Sequence, residues 1–101
     1  MPVYFLGKSN RKNKKCYIRE LNGNKSIHFG DSRYTDYTIN KDDARKYRYL
    51  LRHSNEDWAL SGINKPGFWS RWLLWNRRTI KQSIKDLERR FKIKVRVLKN
   101  S

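Results

Sequence analysis

With 101 residues, 37% apolar content and a formal net charge of +16, the chain has room for one domain whose core must be built from large side chains. No apolar run approaches the ~18–20 residues of a membrane span, and Met1-Pro2-Val3-Tyr4-Phe5-Leu6 is too short for a secretory signal, with its charges following rather than preceding it. The single cysteine, Cys16, excludes an intramolecular disulfide and a zinc pattern and fits synthesis in a reducing compartment; a small half-buried strand residue is the simplest role for it.

In chain order, Val3 to Leu6 reads as an apolar strand, and Lys8 to Lys15 as a basic, polar loop. Cys16-Tyr17-Ile18-Arg19-Glu20-Leu21 alternates weakly, Asn22-Gly23 is a hairpin signal, and Ser26-Ile27-His28-Phe29 returns as the next strand. Asn40 with Asp43 predicts a helix start, followed by an apolar face of Ala44, Tyr47, Leu50 and Leu51 that ends near His53. Gly62 and Pro66-Gly67 break the chain. Thr79 with Gln82 forms a capping-box signature, and Ile80, Ile84, Leu87 and Phe91 recur at helical spacing behind it. Finally Ile93, Val95 and Val97 alternate with Lys94 and Arg96, a strand with one wet, basic face that can join the meander. The expected layout is α+β in a single domain over 1–101. A β-meander spans 3–29 with its basic loop at 8–15, a helical part spans 40–92, and a C-terminal strand spans 93–98. The small antiparallel sheet packs on two to three helices, with Trp69, Trp72, Ile84, Leu87 and Phe91 in the core.

All four tryptophans fall between Trp58 and Trp75. On a helix, Phe68, Trp69, Trp72, Leu73 and Trp75 share an arc of roughly 160°, with Ser70 and Arg71 opposite and Leu74 between. Such a face is either the core or an exposed stacking platform. So few aliphatic residues remain to offset chain entropy that burial is the stronger reading. Trp58 and Trp75, at the edges of the cluster, are the rings left for an interface.

Charge is uneven along the chain. Residues 1–30 carry seven Lys/Arg and one acid, residues 31–62 six of each, and residues 63–101 twelve and two. Lys81, Lys85 and Arg89 recur at i, i+4, i+8 on the last helix, behind Arg77 and Arg78. Asp86 can pair with Arg90 and Glu88 with Lys92, leaving that row largely uncompensated. These five cations, with Lys12, Lys14 and Lys15 of the basic loop as a flexible arm, are the candidate contacts to an acidic protein surface or to DNA or RNA. No zinc finger, ribonucleoprotein motif, GXXG loop or basic zipper is present, so sequence-specific readout is not expected.

Nothing predicts an enzyme. His28 and His53 form no metal or triad pattern, and there is no phosphate-binding glycine loop or nucleophile elbow. Asp31, Asp36, Asp42, Asp43, Glu56 and Asp57 could bind a divalent ion as a nuclease does. Helix capping and pairing with Arg45, Arg48 and Arg52 are the preferred roles. No cofactor, metal or small-molecule substrate is expected.

Two blocks of the sequence are distinctive: His28-Phe29-Gly30-Asp31-Ser32-Arg33-Tyr34-Thr35-Asp36-Tyr37-Thr38, and Gly67-Phe68-Trp69-Ser70-Arg71-Trp72-Leu73-Leu74-Trp75-Asn76. With Lys41-Asp42-Asp43-Ala44-Arg45 between them, the chain from about Lys14 to Phe91 resembles a family of small basic proteins of large double-stranded DNA viruses of eukaryotes. The resemblance implies a viral source and a non-enzymatic place in the particle, as a minor capsid or internal component, reached through the host cytoplasm or nucleus. Capsid proteins or packaged DNA would then be the acidic partner. It transfers no site residues.

Overall fold

Three strands open the chain, as its alternation predicts: β1 (Val3–Lys8), β2 (Lys14–Glu20) and β3 (Ile27–Asp31). A computed structural model describes residues 1–98 of the protein. The predicted basic loop is shorter than 8–15, because Lys8 ends β1 and Lys14 and Lys15 begin β2. The Asn22-Gly23 pair does not make a two-residue hairpin. Strand β2 stops at Glu20, a turn closes through Gly23 N–H to the Glu20 carbonyl at 2.9 Å, and the chain re-enters the sheet only at Ile27.

The fourth strand, β4 (Lys94–Val97), joins as predicted, but on the other side of β1 and parallel to it. The sheet order is β3-β2-β1-β4, so a mostly antiparallel sheet contains one parallel pair. The cause is the crossover: the final helix brings the chain back to the end of the sheet where β1 begins. Lys94 N–H then donates to the Pro2 carbonyl and Leu98 N–H to that of Leu6, at 2.9 and 2.8 Å.

Helix α1 (Tyr37–Asn40) is a single turn capped by Asp36, and α2 (Asp43–Arg52) follows. The cap of α2 is Asp42, whose carboxylate accepts from the N–H groups of Ala44 and Arg45; Asn40 instead accepts from Asp42 N–H. The predicted apolar face of α2 is corrected too. Tyr49 is the residue this helix buries, while Tyr47 and Leu51 are more than half exposed. Lys46, Tyr49 and His53 face inward because Tyr49 stacks on Trp75 on one side and on His53 on the other, with centroids 4.5 and 4.3 Å apart.

The tryptophan segment starts as α3 (Pro66–Trp69) and runs straight into a π-helical turn, Ser70–Leu74, closed by Trp75 N–H to the Ser70 carbonyl at 3.0 Å. The extra residue per turn rotates the face: Phe68, Trp69, Trp72, Leu73 and Leu74 are buried, and Trp75 moves out to the rim. Helix α4 (Ile80–Phe91) begins at Thr79, whose hydroxyl accepts from Gln82 N–H, as the capping signature predicts.

Tyr4, Leu6, Ile18, Phe29 and Val95 point from the sheet into this helical layer and meet Phe68, Trp69, Trp72, Leu73 and Leu87. Ile84 and Phe91 pack against that core from its partly buried margin. Gly30 marks where β3 bends away: its φ of +78° suits glycine, and a Cβ there would lie 2.6 Å from Leu74 Cδ1. By the same pleat, Val3, Phe5, Tyr17, Arg19, His28, Lys94 and Arg96 lie on the opposite face of the sheet, and none of them belongs to the core cluster.

Candidate polyanion-binding cleft

Asp86 organises the basic end of the molecule. It is buried on the inward side of α4 with Ser83 and Leu87, and the residue is 5% exposed. Asn76 Nδ2 and Arg90 Nε donate to one oxygen at 2.8 Å each, and Arg77 and Arg89 donate to the other at 3.2 and 2.7 Å. Burial acts to raise the Asp86 pKa, but these four donors outweigh it and hold the carboxyl well below the ordinary range.

Arg77 and Arg89, but not Arg90, also line a cleft of about 640 Å³, together with Tyr37, Lys46, Asn76, Arg78, Gln82, Lys85 and Asp86 itself. Lys46 reaches in from α2, where its ammonium donates to the Asn76 carbonyl at 2.7 Å and lies 5.0 Å above the Tyr37 ring. Burial lowers the Lys46 pKa, with Arg71 and Arg77 adding to the effect. Arg78 donates to Tyr37 Oη at 3.3 Å and lies 3.6 Å from Asp43, which itself accepts from Tyr37 Oη at 2.5 Å. Among the described residues five cations thus border one cleft, and the one carboxylate in its lining is saturated by its own donors.

Of the predicted contact residues, Arg77, Arg78, Lys85 and Arg89 come together here; Lys81 is exposed on α4 but outside the cleft. Arg89 is less free than its row suggested, because Asp86 lies three residues before it and takes its guanidinium. Glu88 does not pair with Lys92; its carboxylate accepts the N–H of Val95 at 2.9 Å. Lys12 and Lys14 are exposed at the β1–β2 end of the sheet. Lys15 departs from the flexible-arm expectation: it forms a 2.5 Å ion pair with Asp36, itself 2% exposed, and is a structural link between sheet and α1. Sequence reasoning missed Lys46 and Tyr37, which lie on no basic row; only the fold, which brings α1 and the inward face of α2 to the cleft, reveals them.

Trp75 sits stacked on Tyr49 at the rim. Trp58 is packed against the core, with Arg71 5.3 Å over its ring and its carbonyl accepting from Trp72 Nε1 at 2.8 Å. The central acids serve local structure. Asp31 holds Arg33 in a two-point pair at 3.0 and 2.8 Å, and those bonds pull its pKa to about 2. Asp36 and Asp42 cap helices, and Asp57 accepts from Ala59 N–H and Ser61 Oγ. Arg45 lies 3.8 Å from Asp42, whereas Arg48 and Arg52 make no ion pair among the described residues. Among those residues no group of three or more His, Cys, Asp or Glu side chains is placed to hold a metal ion, and no helix is long and apolar enough to cross a membrane.

Residues 5–53 match the model of a family of unknown function, DUF5754. The matched stretch runs from within β1 through α2, with the first distinctive block inside it and the tryptophan block and α4 beyond it. No curated protein and no solved structure matches the chain.

Proposed function

We propose that this is a non-enzymatic basic protein that binds nucleic acid through its phosphates, without sequence preference, at the cleft between α2 and α4. The supporting observation is the convergence of Lys46, Arg77, Arg78, Lys85 and Arg89 around a carboxylate already saturated by four donors. An anion entering the cleft meets uncompensated positive charge and guanidinium groups held in place by Asp86 and Tyr37. The remaining basic surface adds long-range attraction.

Fluorescence anisotropy with a labelled DNA duplex at rising salt tests this. The logarithm of the binding constant should fall linearly with the logarithm of salt concentration, by about 0.9 per phosphate neutralised. The double substitution Arg78→Ala, Lys85→Ala touches neither Asp86 nor the core. It should weaken binding about tenfold or more and flatten the slope by about one to two contacts. Binding that ignores salt, or is unchanged in the double variant, would refute the cleft.

A particle role is the finer form of this proposal, favoured by the two sequence blocks beginning at His28 and Gly67. In it, packaged DNA or an acidic shell protein supplies the polyanion. Mass spectrometry of purified particles that consistently lacks the chain would remove it.

A further inference from the structure

The face of the sheet turned away from the helices carries rings and cations together. A trough of about 820 Å³ runs over it between the β1–β2 and β2–β3 loops. Lys8, Arg11, Arg19 and Lys25 line the trough, and among the described residues no acidic one does. Its floor holds Tyr17 and His28, paired across β2 and β3, with ring centroids 5.8 Å apart.

Both rings are fixed. Tyr17 lies across Gly7, its cross-strand partner, so closely that a Cβ on residue 7 would fall 2.5 to 2.8 Å from the ring atoms. The glycine therefore lets the ring lie against the strand and turn its other face outward. His28 is held by Ser9 Oγ at 2.6 Å from Nδ1. Partial burial and the Arg11 and Lys14 cations lower its pKa and so favour the neutral imidazole.

We infer that this sheet face is a second binding site, a platform on which bases of single-stranded nucleic acid stack against Tyr17 and His28 while Arg11, Arg19 and Lys25 meet the backbone. A cationic groove with fixed rings is the arrangement that holds single strands, because every unpaired base has a free π face. A duplex keeps its bases stacked on each other and offers these rings nothing. A basic partner is repelled by the rim. The site rests on the reading that the protein binds nucleic acid, yet shares no residue with the α2–α4 cleft.

The test compares a labelled oligothymidylate with a duplex of equal length in anisotropy titrations. Tyr17→Leu, which still covers Gly7, and His28→Ala should each weaken oligothymidylate binding ~5- to ~150-fold. Duplex affinity should stay within about twofold. Adding oligothymidylate to the unsubstituted protein should also move the Tyr17 and His28 ring-proton resonances upfield, a readout independent of how the variants fold. Unchanged single-strand affinity in both variants, with duplex binding intact, overturns the platform and leaves the cleft standing. So do resonance shifts confined to Arg78 and Lys85, or competition by an acidic peptide but not by oligothymidylate. Failure to bind either nucleic acid overturns both sites.

Discussion

Trp69→Ala is expected to take the protein to the edge of unfolding. The indole is fully buried, lies 5.1 and 5.0 Å from the Tyr4 and Phe68 rings, and donates its N–H to the Ile63 carbonyl at 2.8 Å. Removing such a ring costs about 3–5 kcal/mol, against a total stability of about 5–15 kcal/mol for a domain. Few aliphatic side chains are available to collapse into the space. Trp69→Phe keeps most of the volume and loses the bond to Ile63, so it should cost roughly half as much. Urea titrations followed by far-ultraviolet circular dichroism measure both. A Trp69→Ala protein within about 1 kcal/mol of the parent would show that the tryptophan segment is not the core.

Asp86→Ala should be the most damaging substitution of a charged residue. It strands Arg77, Arg89 and Arg90 beside one another and leaves Asn76 without its acceptor. Breaking a buried ion pair costs about 3–5 kcal/mol. The guanidinium groups here are 45–73% exposed and can turn to water, so about 2–3 kcal/mol is expected after screening. For a chain of this length that lowers Tm by about 8–20 °C. The acid branch has a definite sign. Asp86 has a folded pKa below its unfolded value, so its contribution is complete above about pH 4 and is lost as pH falls towards the folded value. Melting curves of the parent and of Asp86→Asn should therefore differ at neutral pH and draw together below about pH 4. A gap that stayed constant down to pH 2 would contradict the ion-pair account.

Local chemistry made much of this architecture legible in the sequence. Thr79 and Gln82 start α4 where the capping signature puts them, and the alternation of Val95 with Lys94 and Arg96 produces a strand. What escaped is set by tertiary partners. A 3.6-residue period places Trp75 on the buried arc, but the π turn at Ser70–Leu74 rotates Leu74 in and Trp75 out. On α2, three of the four residues of the expected apolar face, Ala44, Tyr47 and Leu51, face solvent and Leu50 is half-buried, because Tyr49 finds Trp75 and His53 to stack on. At the candidate cleft, the row on α4 named Lys85 and Arg89, and the doublet before it named Arg77 and Arg78. Lys46 comes from a helix thirty residues upstream, and charge spacing along one helix carries no trace of it. Lys15 looked like part of a charged loop because its partner, Asp36, lies twenty-one residues away.

The parallel pairing of β1 with β4 dictates an order of assembly. Strand β1 leaves the ribosome well before β4, yet one of its two edges stays bare until Lys94–Val97 arrives. Contacts so distant along the chain form slowly, and an open strand edge in the interval is a template for joining another unfinished chain. The excess of Lys and Arg, already present in the sequence before β4, makes two such chains repel. The charge on which the proposed polyanion binding relies thus also keeps half-built sheets apart.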